Sequence, residues 1–164
     1  MHFAVEYMMA LIQVQIRDAV KAKIAAGTYS VLTPVVSTGL IVDQSPEDMT
    51  EDEPLVTVVQ AGNEFVTNSH REGHARDYAI QVTVQCKIDT QTLSKMDDVT
   101  DFVEEVQNLF TYDEADRGVL TLSGGDTCDL AAFEVKIVDM DSLIAGGGIW
   151  AQDMLFTFRY WKES

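Results

Sequence analysis

The residues best suited to chemistry in this chain are two histidines with a glutamate between them, His70, Glu72 and His74. A zinc-protease helix needs the glutamate directly after the first histidine, so that the metal ligands and the base share one helix face. Here Arg71 follows the first histidine, and Gly73 disfavours a helix. We therefore predict no metal site, and we interpret this segment as a polar loop that contacts a partner.

Two further motifs have suitable residue types but lack the rest of a functional pattern. The glycine run at 146–148 is not followed by the Lys-Ser/Thr of a phosphate-binding loop, so it predicts a hairpin turn. A row of carboxylates recurs at helical spacing and is typical of the solvated side of a helix. The row consists of Asp97, Asp98, Asp101, Glu104 and Glu105. We predict no catalytic residue and no cofactor, and we do not expect an enzyme.

The charge balance limits the possible partners. Aspartate and glutamate number 27 against 11 lysines and arginines, which gives a formal net charge of −16. Such a surface repels nucleic acid phosphates at long range, and this excludes a sequence-reading DNA-binding protein. Two other classes stay open: a protein that DNA passes without sticking, and a protein that imitates DNA.

The length of 164 residues and the hydrophobic fraction of 46% predict one domain, 1–164, with its own core. The longest apolar run, 7–12, is far shorter than the ~20 residues of a membrane span, so no membrane association is expected. The two cysteines have no CxxC spacing and predict no disulfide. Cys86 falls on a strand, whereas Cys128 is expected in a glycine-containing loop.

A long β-hairpin is the clearest structural signal. Apolar side chains occupy every second position from Tyr78 to Ile88, which is the period of a strand with one buried face. Residues 55–59 form the partner strand, and the polar residues 68–77 connect the two. This connection contains the charged or titratable residues His70, Arg71, Glu72, His74 and Arg76.

Apolar residues at spacings of three and four predict amphipathic helices over 5–26 and 94–110. A short apolar segment predicts an edge or connecting strand over 34–42. Alternating segments predict strands over 133–137 and 150–160. The fold class is therefore α+β: a mostly antiparallel or mixed sheet with an extended hairpin, flanked by two main α-helices.

This order of parts resembles the tail terminator, or tail-completion, proteins of the neck of long-tailed bacteriophages. The resemblance covers about 12–160. It is carried by the helical segment 16–20, the strand 56–62, the polar tip 68–76, the strand 77–85, the acidic helix 99–110 and the terminal strand 156–160.

The resemblance implies a structural virion protein located in the tail or neck and assembled in the host cytoplasm. Its subunits would form a homo-oligomeric ring, usually hexameric, that caps the tail tube protein and meets the head-completion or connector protein. DNA would pass through an acidic bore without specific binding. In this interpretation the polar tip contacts a neighbouring subunit or the tube, and the acidic helix faces the bore or solvent.

Two alternatives stay open from the residues. One is another neck subunit, a stopper or adaptor. The other is an acidic inhibitor that mimics DNA, for which carboxylates spaced along one helix would stand in for phosphates.

Overall fold

The computed structural model describes residues 2–37, 53–65, 74–87, 93–111, 117–136 and 149–162. Within these residues, two helices and six strands follow one another along the chain. Their order and bounds are α1 (His2–Ala26), β1 (Val35–Ser37), β2 (Leu55–Phe65), β3 (His74–Lys87), α2 (Leu93–Thr111), β4 (Val119–Thr121), β5 (Thr127–Val135) and β6 (Ile149–Lys162).

All six strands belong to one sheet with the order β1-β2-β3-β6-β5-β4. The short strand β1 lies parallel to β2, and every other neighbouring pair is antiparallel. The mixed sheet with two helices confirms the predicted α+β class.

The central pair of the sheet, β3 and β6, is regular from end to end. Its register runs without a shift from His74 opposite Lys162 to Lys87 opposite Ile149. The predicted alternation on both strands is confirmed, because the even-numbered side chains form the core while their neighbours face the other way. The fully buried members are Tyr78, Ile80, Val82, Val84, Cys86, Met154, Phe156 and Phe158.

The predicted hairpin is present as β2 and β3, but its strands are longer than expected. They reach Phe65 and His74, so Arg76 and Asp77 belong to β3 rather than to the connection. The reason is non-local: β6 pairs with β3 as far as His74, which satisfies the second edge of that strand. The connecting residues 66–73, including His70, Arg71 and Glu72, lie outside the described residues.

Both helices pack on the face of the sheet that carries the even-numbered residues of β3. Helix α1 begins three residues earlier than predicted and contributes Ile16, Val20 and Ile24 to the core. Helix α2 contributes Val99, Val103, Val106 and Phe110, which follow the predicted spacing of three and four, together with Phe102.

Aromatic contacts fix the position of α2. The ring centroids of Phe110 and Phe156 lie 4.8 Å apart, and Tyr29, in the segment after α1, packs against Phe102 at 5.0 Å.

Neither described helix contributes to the opposite face of the sheet, which carries Asp77, Thr83, Asp153 and Arg159. We call this surface the second face.

Two expectations about single segments need adjustment. Cys128 does not lie in a loop: it is a buried residue of β5, because the strand begins at Thr127, directly after the glycine-containing turn. Of the predicted strand over 34–42, the structure has Val35–Ser37 as β1, and residues 38–42 lie outside the described part of the chain.

Candidate functional site

The predicted contact loop joins two paired strand ends. Phe65 lies opposite Arg76 in the register of β2 and β3, and His74 lies opposite Lys162 of β6. The Nη1 atom of Arg76 donates a hydrogen bond to Oδ1 of Asn63 at 2.9 Å. Both ends of the 66–73 connection are therefore held by backbone pairing, and a side-chain contact across the hairpin reinforces it.

An ion pair crosses the central strands one row further into the sheet. The Nε and Nη2 atoms of Arg159 donate to the two carboxylate oxygens of Asp77 at 2.8 and 3.0 Å. Hydrogen bonding to Asp77 raises the pKa of Arg159. On the other side of β6, Asp129 is the register partner of Arg159. A single guanidinium thus lies in a row with two aspartates on the second face.

The other face of this end of the sheet carries two tyrosines, the buried Tyr78 and the half-buried Tyr160. The hydroxyl of Tyr160 donates to Asp126 in the turn before β5 at 3.1 Å. Burial is the main cause that raises the pKa of Tyr160, and Asp126 adds to it. Burial likewise raises the pKa of Tyr78. These hydroxyls are held neutral and suit a structural role in the sheet.

A hydrogen-bonded row at the opposite end of the second face was not anticipated from the sequence. Thr57 and Thr83 are only 3% exposed, although the alternation from Tyr78 to Ile88 predicts that Thr83 lies on the polar face. The Oγ1 atom of Thr83 donates to Oδ1 of Asp153 at 2.7 Å. Cross-strand threonine and aspartate side chains can satisfy one another. The two residues are 70 positions apart in the chain, so no local pattern in the sequence indicates this pairing.

Both strands that flank the central pair carry a β-bulge, and the two bulges fall in one row. The register shifts between Gln60 and Gly62 in β2, and between Leu130 and Ala132 in β5. Gly62 and Ala132 are then linked in register through Ala79 and Thr157 of the central strands. Bulges bend and twist a strand locally, so this row is where both flanks deviate from the regular centre.

Helix α1 is attached to the bulge of β2. The side-chain amide of Gln13 donates to the Gly62 carbonyl at 3.0 Å, and Nη1 of Arg17 donates to Oε1 of Gln60 at 3.4 Å. Gly62 has a φ of +135°, a region that side-chain-bearing residues rarely adopt. The irregular part of β2 is therefore tied to the helix layer.

The predicted acidic row lies on the outer side of α2. Asp97, Asp101 and Glu104 are exposed, whereas Asp98 and Glu105 are half-buried. Helix α2 holds five carboxylates and a single lysine. This arrangement places negative charge on the side of α2 that faces away from the core.

One member of the acidic row has a structural partner. The backbone N–H of Ser30 donates to the Glu105 carboxylate at 3.2 Å, and the Ser30 hydroxyl donates to the same group. Burial, assisted by Glu105, raises the pKa of the neighbouring Tyr29 to about 12. Glu105 thus fastens the segment after α1 to α2, and the exposed carboxylates are the ones available to a partner.

The described part of the chain also bears on a metal site and on a membrane-spanning segment. It contains no group of three or more histidine, cysteine, aspartate or glutamate side chains arranged to hold a metal ion. None of its helices is both long and apolar enough to cross a membrane.

No protein-family model matches this chain, and no match was found among the curated proteins. Among solved structures, the chain is similar to a component of the virion of the native gene transfer agent (GTA) particle. The two are 13% identical, the match covers 92% of this chain and 94% of that chain, and the TM-score is 0.40. A likeness at this level assigns neither a family nor a function.

Proposed function

We propose that this protein is a structural virion protein of a long-tailed phage, a tail terminator whose subunits form a ring on the end of the tail tube. The proposal starts from the resemblance of the element order and the hairpin to that family. The observation that supports it most is the anchoring of the 66–73 connection. Because the strand residues at both of its ends are fixed by pairing in the sheet, these two ends need no further ordering when a partner binds.

The surface charge suits a protein that DNA passes. Three carboxylates of α2, those of Asp97, Asp101 and Glu104, are exposed, and the whole chain carries a formal charge of −16. Six copies would carry a formal charge of −96. Carboxylates lining the bore would repel the phosphates of DNA, so that the molecule slides through without adhering.

The same acidic helix supports a second candidate function, an inhibitor that mimics DNA. Asp97, Asp101 and Glu104 are exposed at spacings of four and three, so they follow one side of α2. Such a row could occupy a basic site that normally receives phosphates. A mimic would act as a monomer or dimer, whereas a terminator acts as a ring.

Electron microscopy of the full chain mixed with tail tubes that lack a terminator tests the proposal. We expect a ring at one end of each tube. Replacing Arg71 with glutamate should leave the chain folded, as judged by circular dichroism, and should prevent this binding. Arg117→Glu is the matched control, because it makes the same charge change at an exposed residue of the turn before β4.

Two results would contradict the terminator proposal. The first is a chain that stays off the tubes and instead displaces duplex DNA from a DNA-binding protein, which favours the mimic. The second is a ring that binds duplex DNA tightly at low salt and releases it at high salt, because an acidic bore should not hold DNA.

A further inference from the structure

The outer edge of β5 is covered over only part of its length. Strand β4 pairs with Thr127–Asp129, and the backbone N–H of Leu130 donates to the Gly118 carbonyl at 2.9 Å. From Ala131 to Val135, no strand in the described part of the chain pairs with β5 on this side. An open edge is a ready template for another strand, so this stretch can accept one from another molecule.

The hydrogen bonds of this region show which backbone groups face the open edge. The backbone N–H of Lys136, directly after β5, donates to the Asp153 carbonyl of β6 at 3.0 Å. Successive residues of a strand direct their backbone groups to opposite sides. Glu134 therefore also turns toward β6, whereas Phe133 and Val135 turn outward. The N–H and C=O groups of these two residues are the ones that an added strand would bind.

The side chains of the same stretch alternate between two environments. Phe133 and Val135 are half-buried and pack against the core. Glu134 and Lys136 are exposed and follow the alternation onto the second face. The open edge thus carries one carboxylate and one ammonium group two positions apart on the same side of the sheet.

We propose that the outer edge of β5 binds the same edge of a second copy of this chain, antiparallel, about a two-fold axis at Val135. Antiparallel strands hydrogen-bond outward-facing residues to one another, so the axis passes through a residue and not between two. An axis at Glu134 would place two glutamates opposite each other, and one at Phe133 would place Glu134 opposite an alanine. Of the three positions 133–135, only Val135 places Glu134 opposite Lys136 of the partner subunit, and it does so twice.

This pairing repeats a charge arrangement that the sheet already contains. Arg159 lies in a row between two aspartates of the neighbouring strands. In the dimer, Lys136 lies in a row between Asp153 of its own chain and Glu134 of the partner subunit. Opposite charges directly across a strand pair stabilise it, and like charges destabilise it. The two charges therefore favour a second copy over strands of other sequence.

The contact is short, so it is weak. Within the described residues it spans 134–136 of each copy, far less than the ~1,000 Å² that a stable interface buries. The net charge of −16 also opposes self-association. We expect a dissociation constant on the order of 0.1–1 mM at about 0.15 M salt, where distant charges are screened.

The inference goes beyond the proposed function. An isologous pair closes on itself instead of extending into a ring. It uses neither the 66–73 connection nor the acidic side of α2, so dimerisation of the free chain and binding to tail tubes are measured independently.

Sedimentation equilibrium of the full chain tests the charge pairing. Glu134→Lys should weaken dimerisation about tenfold, because two lysines of one copy then face two of the other. Asp101→Lys on α2 is the matched control, since it makes the same change in net charge at another exposed carboxylate. Both variants lower the overall repulsion between copies, so weakening by Glu134→Lys alone identifies a local contact.

Two rescues keep this test independent of folding defects. Lys136→Glu alone should also weaken dimerisation about tenfold. The double variant Glu134→Lys/Lys136→Glu restores both pairs and should dimerise as the original chain does. Mixing the two single variants should restore association as well, because one copy then supplies only lysines and the other only glutamates.

Disulfide trapping tests the position of the axis. In the proposed register the two Val135 residues are a hydrogen-bonded pair with Cα atoms about 5.5 Å apart, within reach of a disulfide. Oxidised Val135→Cys should therefore form a covalent dimer. Ala132→Cys is the control on the same strand: it is more exposed, but the two copies of position 132 lie about 20 Å apart. Its cross-linking should be at least about tenfold slower.

Several outcomes would overturn the inference. One is a chain that stays monomeric up to about 1 mM. Another is a dimer that Glu134→Lys and Asp101→Lys affect equally, since its contact would lie elsewhere. Cross-linking of Ala132→Cys as fast as that of Val135→Cys would likewise exclude an axis at Val135.

Discussion

The central strands and the flanking strands of this sheet follow different rules. β3 and β6 pair without interruption over their whole length, and one face of each is buried in the core. β2 and β5 each contain a bulge and a run of exposed residues, at 60–63 in β2 and 131–132 in β5. The central strands therefore hold the fold together, while the flanking strands have room for irregular geometry and for contacts with other molecules.

Removing a ring from the centre should have the largest effect. Phe156 is fully buried and contacts Phe110 and Phe133. Phe156→Ala should lower the free energy of unfolding by about 3–5 kcal/mol, through lost burial and the cavity left behind. Urea unfolding followed by circular dichroism measures this change.

The matched control lies on the flank, where Phe133→Ala removes the same side chain from a half-buried position of β5. Its cost should be clearly smaller, on the order of 1–3 kcal/mol, because less apolar surface returns to water. Equal costs for the two variants would break the distinction between centre and flank.

The central strands β3 and β6 can be predicted from the sequence because the alternation of their apolar residues is a local signal. Alternation with a period of two identifies the buried face of β3 and β6 from the residues alone. The bulges carry no comparable signal: Ala61 and Ala131 are ordinary strand residues, and Gly62 is the only local hint of an irregularity. Bulges arise from how neighbouring strands register with one another, which a single segment does not encode.

The ends of the hairpin strands could not be placed from the sequence for a related reason. Arg76 and Asp77 look like loop residues because they are charged. They lie in β3 because β6, distant in the sequence, supplies both backbone partners and the guanidinium of Arg159. The structure therefore begins β3 at His74, four residues before the strand start at Tyr78 that the sequence predicts.

The burial of the core-facing side of β5 can be tested by the pH dependence of stability, because the side chain of Cys128 faces the core. Burial, with help from Asp129, raises the pKa of the Cys128 thiol from 9.0 to about 12. The unfolded chain loses this proton above pH 9, whereas the folded chain keeps it. The contribution of the protonated Cys128 thiol to the free energy of unfolding is therefore fully present below pH 9, and it is lost as the pH rises toward 12.

The loss attributable to Cys128 should be on the order of 2 kcal/mol by about pH 11. Cys128→Ala should flatten the decline of stability over this range, although the variant starts from a lower value at neutral pH. Urea unfolding at a series of pH values checks the slope. An unchanged slope would mean that the inner side of β5 is wetter than its burial indicates.

The bulge of β2 should show a smaller, conformational effect. Gly62 has a φ of +135° with no neighbouring atom in reach of an added Cβ. Gly62→Ala should therefore cost about 1–2 kcal/mol through backbone strain rather than through a clash. Gly124→Ala is the control, since an added Cβ there makes an ordinary contact with Gln15 at 3.7 Å. A thermal unfolding comparison that shows equal costs would argue that the bulge is not strained.

The smallest effect should come from the ion pair that joins the two central strands near the hairpin end. Asp77 and Arg159 are bonded through both carboxylate oxygens, but their side chains are 22% and 36% exposed. Solvent screens such a pair, so a double-mutant cycle with Asp77→Ala and Arg159→Ala should give a coupling of about 1 kcal/mol or less, weaker still in high salt. A coupling above about 2 kcal/mol that resists salt would mean that this end of the sheet excludes water as the core does. The rigid central part of β3 and β6 would then extend to the hairpin end. The strand ends beside the predicted contact loop would be more rigid than the exposure of the ion pair indicates.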